Sequence, residues 1–93
     1  MKHYIIARFN DNIEWKKLVP EISEHFEGAK KIEGVSDVKI FTSCSDRANR
    51  YHIMIEIEMT PEGLQNFDSS YVHNEWKSRY GDMLEKKAIF DCE

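Results

Sequence analysis

The sequence predicts an α+β fold: one four-stranded antiparallel sheet with helices packed against a single face. Three observations lead there. Tyr51, Ile53, Ile55, Ile57 and Met59 alternate with His52, Met54, Glu56 and Glu58, the period-two pattern of a strand with one apolar face. Ile13, Trp15, Leu18, Val19, Ile22 and Phe26 recur at spacings near three and four, which is one face of a helix. Strand-like and helix-like stretches then follow one another in an order that fits a single small sheet.

The first strand is Tyr4-Ile5-Ile6-Ala7-Arg8-Phe9, rich in β-formers and ended by Asn10-Asp11-Asn12, a turn and helix-capping cluster. In the helix that follows, Pro20 predicts a kink or a fresh start. Gly28 and Gly34 punctuate its exit. A second strand runs from Val35 to Thr42, with Val38, Ile40 and Thr42 on one side and Val35, Asp37 and Lys39 on the other. Ser43 to Asn49 is polar and holds a turn into the alternating third strand. Thr60-Pro61-Glu62 opens a helix, Thr as N-cap and Pro in the first position. Leu64 and Phe67 form its short apolar face, and a further helical stretch carries Val72, Trp76, Tyr80, Met83 and Leu84. Ala88-Ile89-Phe90 closes the chain as a last strand. The order βαββαβ is that of a ferredoxin-like fold. Met54 and His52 beside Glu56 make the second face of the third strand too apolar to be fully wet, so a second subunit is expected to pack there.

Ninety-three residues make one domain, 1–93, whose own core is thin enough to gain from a partner subunit. Two cysteines, Cys44 and Cys92, are too few for a disulfide framework and too far apart for a Cys-x-x-Cys pair. No apolar run approaches the roughly 20 residues of a membrane span, and Met1-Lys2-His3-Tyr4 lacks the apolar core of a signal peptide. A cytoplasmic address is expected. A net charge of −4, from 17 acidic and 13 basic side chains, argues against nucleic acid. Lys16-Lys17, Lys30-Lys31 and Lys86-Lys87 are flanked by Glu and read as solvated faces. There is no Gly-rich phosphate loop and no Gly-x-Ser-x-Gly elbow, which sets aside nucleotide binding and serine hydrolysis. The histidines lack His-x-x-x-His or Glu-x-x-His spacing, so no metal and no cofactor is expected. Trp15, Phe26, Phe67, Trp76 and Tyr80 are at helical spacing and read as packing rather than a cofactor box.

Tyr71-Val72-His73-Asn74-Glu75-Trp76, with Ile89-Phe90-Asp91-Cys92 after it, resembles the stress-responsive A/B-barrel domain, the Dabb or dimeric α/β barrel family. That family has a His-Pro-x-His run opening its last helix and an acidic residue near the end of its final strand. Ile32-Glu33-Gly34-Val35 is similar to its Ile-Pro-Gly-Val turn, and His3 falls at a common family position. The resemblance implies a homodimer joined sheet to sheet. It departs from the pattern at Ser70 and Tyr71, which replace the first His and the Pro, leaving His73. Family members of the olivetolic acid cyclase type use a His at the position of His73 as acid/base, together with a Tyr whose position is Phe67 here. A phenyl ring cannot donate to a developing oxyanion, so the cyclase reaction does not carry over.

The site expected from these residues is a small, mostly apolar cavity between helices and sheet. His73 would be its acid or base near neutral pH, and His3, in phase with Ile5, Ala7 and Phe9, its second polar group. Ile5, Ala7, Ile22, Phe26, Phe67 and Leu84 would be its walls, and a small aromatic or hydrophobic molecule its ligand. His25 is assigned to the surface and His52 to the subunit interface. A homodimer that binds a small molecule is the leading expectation, with turnover left open; a binding or stress-associated structural protein without turnover is the second. Cofactor-free lyase or cyclase chemistry with His73 as acid/base, or a cofactor-free monooxygenase, are the alternatives.

Overall fold

The computed structural model describes residues 1–93. Its strands are β1 (Lys2–Phe9), β2 (Val35–Thr42), β3 (Ile53–Met59) and β4 (Leu84–Cys92). Its helices are α1 (Trp15–Glu27), α2 (Pro61–Asp68) and α3 (Tyr71–Tyr80), with short 3₁₀ turns at Gly28–Lys31 and Gly81–Met83. The sheet is antiparallel throughout, in the order β2-β3-β1-β4. This is the expected ferredoxin-like α+β arrangement, with the second helical segment divided in two.

Local chemistry accounts for most boundaries. The Thr60 hydroxyl accepts the Gly63 N–H at 3.0 Å and caps α2, with Pro61 in the first turn. The Ser70 hydroxyl accepts the His73 N–H at 3.2 Å and starts α3, so Ser69-Ser70 separates two helices. The capping role expected of Asn10-Asp11-Asn12 is not found: α1 begins later, after Glu14, with no side-chain cap. Nor does Pro20 interrupt α1, because Lys16, whose carbonyl loses its helical donor there, is exposed and can turn to water. Met83 and Leu84 do not continue α3: Met83 ends the 3₁₀ turn. The chain leaves α3 at Gly81, and Leu84 already belongs to β4, which pairs with β1 along nearly its full length.

The core lies between the helices and one sheet face. Ile5, Ala7, Phe9, Ile55 and Ile57 from the sheet meet Ile22, Phe26, Phe67 and Trp76 from the helices, all at most 1 % exposed. Phe26 and Trp76 join α1 to α3 edge-on at 5.3 Å. Glu21 of α1 accepts the Tyr80 hydroxyl at 2.7 Å, and the His25 Nε2–H donates to the Val72 carbonyl at 2.8 Å. His25, expected on the surface, is a half-buried tie between two helices. Burial, then the bond to Glu21, push the Tyr80 phenol up to about 12.

Gly34 is the one residue in the left-handed region, φ 94°. A Cβ there would stand 2.5 Å from the Gly63 Cα, and a Cβ on Gly63 would stand 2.5 Å from the Gly34 carbonyl oxygen. The turn into β2 and the first turn of α2 therefore touch backbone to backbone, and Thr60 N–H donates to the Gly34 carbonyl at 2.8 Å.

On the far side the sheet is bare. Phe41 pairs with Met54, Met54 with Ile6, and Ile6 with Ala88, so one row of apolar side chains crosses all four strands. Phe41 is 45 % exposed and Phe90, in the next row, 59 %. Tyr4 beside Phe90 donates its hydroxyl to Glu56 at 2.8 Å, which raises its phenol to about 12.

Candidate functional site

The two faces of β4 differ from those of its neighbours. Lys87, Ile89 and Asp91 stand opposite Ala7, Ile5 and His3 of β1, on the face the helices cover. Ile5 is 1 % exposed and Ile89 is 49 % exposed. The helices therefore stop short of the edge strand and leave a strip of sheet uncovered. The strip, walled by α2 and α3, forms an open cleft of about 360 Å³. Ile89 and Leu64 supply its apolar surface, and His3, Asp68, His73, Lys77, Lys87 and Asp91 its polar groups.

His3 is 5 % exposed. Its Nδ1 lies 2.5 Å from a carboxylate oxygen of Asp91, the residue directly across the strand pair. A carboxylate accepts only, so the neutral ring carries its proton on Nδ1 and leaves the lone pair on Nε2. No second polar partner approaches the ring, and the protein holds no buried nitrogen or oxygen without a partner, so Nε2 opens onto the cleft. His73 has the same tautomer for a different reason. Its Nδ1–H donates to the Asp68 carbonyl at 3.0 Å, at the end of α2. The Phe67 ring stands 5.9 Å from the His3 ring and 5.0 Å from that of His73. Two imidazoles, each with Nδ1 engaged and Nε2 unbonded, thus border one cleft and share one aromatic support.

The walls are not those expected from sequence. Ile5, Ala7, Ile22, Phe26 and Phe67 are closed core at 0–1 % exposure, and neither they nor Leu84 line any cavity. They fill the space that a helix–sheet pocket would need. Phe67 takes part only as the surface on which the two histidines rest. Leu84 lies at the other end of β4, against Phe9. The cleft is more polar than expected. Asp91, Lys77 and Lys87 are the residues that sequence reasoning did not single out for the site. Asp91 was visible only as the family's acidic residue near the end of the last strand.

His52 is placed otherwise than expected too. It precedes β3 rather than continuing its alternation, and its ring stacks on Trp15 of α1 at 4.8 Å and 13° and on Phe9 at 6.2 Å. Its Nδ1 accepts the Phe9 N–H at 3.0 Å, and the Arg8 guanidinium stands 3.1 Å from Nε2. Burial, then Arg8, hold this imidazole below its ordinary 6.5, against the opposing pull of Asp11 and Glu85.

No helix is long and apolar enough to cross a membrane. No protein-family model and no curated protein sequence matches the chain. Solved structures do. A dimeric ferredoxin-like protein of unknown function from Thermobifida fusca is 13 % identical with a TM-score of 0.77, over 96 % of this chain and 85 % of that one. A hydroxynitrile lyase from Passiflora edulis is 18 % identical with a TM-score of 0.73, over 96 % and 87 %. A Dabb family protein from Mesorhizobium loti is 13 % identical with a TM-score of 0.74, over 99 % and 93 %. At these identities the likeness is one of fold, and the chain has the ferredoxin-like fold of the Dabb proteins.

Proposed function

We propose that the chain is a single stress-responsive A/B-barrel domain over residues 1–93, works as a homodimer, and binds a small molecule in the cleft beside β4. The observation that carries the binding reading is the convergence of His3 and His73, each with a free Nε2, on one cleft with an apolar floor. Two tautomers fixed by separate acceptors are what a site needs to present unshared electron pairs to a ligand. The dimer reading rests on the row Phe41, Met54, Ile6 and Ala88, an apolar stripe across a bare sheet, and on the dimeric structure of the same fold.

A second reading is a cofactor-free enzyme that moves protons, supported by the Asp91–His3 pair and by a lyase of the same fold. In it the His73 Nε2 takes a proton from carbon beside an activated carbonyl, and the electron pair moves onto the carbonyl oxygen. Asp91 then lies against the positive charge that His3 gains whenever it takes up a proton in turn.

A thermal-shift screen of small aromatic acids and their neutral analogues, on wild type and His73→Ala together, tests both. A ligand at 100 times its Kd adds about 2.7 kcal/mol of stability. Shifts that vanish in His73→Ala support the site, and a product formed only by wild type supports the enzyme. Shifts of equal size in the two proteins would place the ligand elsewhere. Light scattering at twice 11.0 kDa is the expected mass in solution; a monomer would remove the dimer reading.

A further inference from the structure

Lys77 and Lys87 enter the cleft from different elements, α3 and β4, and neither has a carboxylate within 4 Å. Most of the other well-placed cations are engaged. Lys2, Arg8, Lys17, Lys30 and Arg79 sit in ion pairs, and Lys16 and Lys86 lie over the rings of Trp15 and Tyr51. Neither carboxylate of the cleft comes within 4 Å of either lysine. Asp91 is held by His3 at 2.5 Å, and Asp68 lies more than 4 Å from both lysines. On a chain of net charge −4, two unpaired ammonium groups thus share one cleft with two imidazoles whose Nε2 atoms have no partner.

We infer that the ligand of this cleft is a small organic acid whose carboxylate is held between Lys77 and Lys87, with the rest of the molecule over Ile89 and Leu64. This rests on the reading of the cleft as a ligand site and adds the chemical class of what it takes. An ammonium group is a compact point charge on a flexible stem, so two of them can close on a carboxylate without a fixed fork. The imidazole Nε2 atoms accept hydrogen bonds when neutral, and they suit a hydroxyl or an acidic C–H on the ligand rather than its anionic end. The anion therefore belongs at the lysines and the neutral, reactive part at the histidines. That division fixes a direction for the ligand along β4, from Lys87 past Ile89 to Asp91.

Phenylacetate and phenylacetamide, nearly equal in shape and differing in charge, are the probes. Titration is followed by calorimetry and by the side-chain ¹⁵N resonances of His3 and His73. Phenylacetate is expected to move both imidazoles and to bind about tenfold more tightly than the amide, about 1.4 kcal/mol. Added salt should weaken the acid and leave the amide unchanged. The double substitution Lys77→Met, Lys87→Met keeps the aliphatic stems at exposed positions and should abolish the preference while preserving the amide's affinity. Asp68→Asn, which removes one of the two carboxylates of the cleft, should tighten the acid. If the two probes bind equally while the imidazoles respond, the cleft stands and the carboxylate assignment falls. If the double variant loses both probes equally, the lysines act as wall rather than as charge, and the assignment falls again. If neither imidazole responds to either probe up to its solubility, the ligand site and its chemistry fall together.

Discussion

His3 and His52 are both histidines at the ends of central strands, and they are put to opposite uses. His3 has one nitrogen on a carboxylate and one open to a cleft, so its surroundings leave it something to do. His52 has one nitrogen under a backbone N–H, the other against a guanidinium, and its ring between Trp15 and Phe9. Every part of the second ring is already engaged. The contrast shows that residue type and strand position do not separate a histidine with a free nitrogen from one fully engaged; the second nitrogen's surroundings do.

Four experiments can break or sharpen that contrast. The largest effect is expected from Asp91→Asn, because the amide can present its NH₂ to His3 and turn the ring to the other tautomer. A reaction that uses His3 Nε2 should slow by about 10²–10⁴-fold, with the melting temperature little moved. A change in stability with no change in the His3 ¹⁵N tautomer signature would make Asp91 merely structural. Next is His52→Ala, which strips the acceptor from the Phe9 N–H and the stack from Trp15 and should cost about 2 kcal/mol. In a domain of this size that is a fall in Tm of about 8–16 °C, read by calorimetry. An unchanged Tm would make the two histidines alike.

The third is pH dependence. His52 titrates below its unfolded 6.5, so the unfolded chain takes up the proton first as pH falls. Its contribution to stability is whole above 6.5 and is lost as pH drops through the lowered folded value. Denaturant melts from pH 7.5 down to pH 5 should show wild type weakening by at most about 1.4 kcal/mol per pH unit from this group, with His52→Ala flatter over the same window. Parallel curves would assign the loss to other groups. The smallest effect is that of Tyr80→Phe, which removes the bond to Glu21 in the helix layer and should cost about 1 kcal/mol while leaving both histidine environments intact. A perturbed His3 or His73 resonance in that variant would mean that the layer and the cleft are coupled.

Alternation and capping make most of the fold legible in the sequence. The period-two run to Met59, the helical face of Ile22 and Phe26, and Thr60-Pro61 mark their elements correctly. β4 was underestimated because an edge strand uncovered on both faces need not alternate: Leu84-Glu85-Lys86-Lys87 carries no pattern that separates it from a helix end. The same exposure hid the site. Its floor is Ile89 on that strand, whereas the apolar residues most visible in sequence are the ones that close the core and so cannot line a cavity. His3 and His73 could be picked out, one by its phase with Ile5 and the other by its place at a helix start. Their tautomers depend on Asp91 and on the Asp68 carbonyl, contacts 88 and 5 residues away in the chain. His52 was misplaced by extending the alternation to the residue before β3, whose ring turns onto Trp15 and Phe9 instead of following Met54.

The backbone contact between Gly34 and Gly63 gives α2 the mechanics of a beam clamped at one end. Five residues at about 1.5 Å each put the free end, Asp68, about 7.5 Å from Gly63. That end carries the carbonyl on which the His73 ring is hung. A side chain added at Gly34 or Gly63 would act as a wedge under the clamp, and a small tilt there becomes a larger swing at the tip. The orientation of His73 is thereby tied to two residues with no side chain at all, and a search for damaging substitutions confined to the cleft would overlook both.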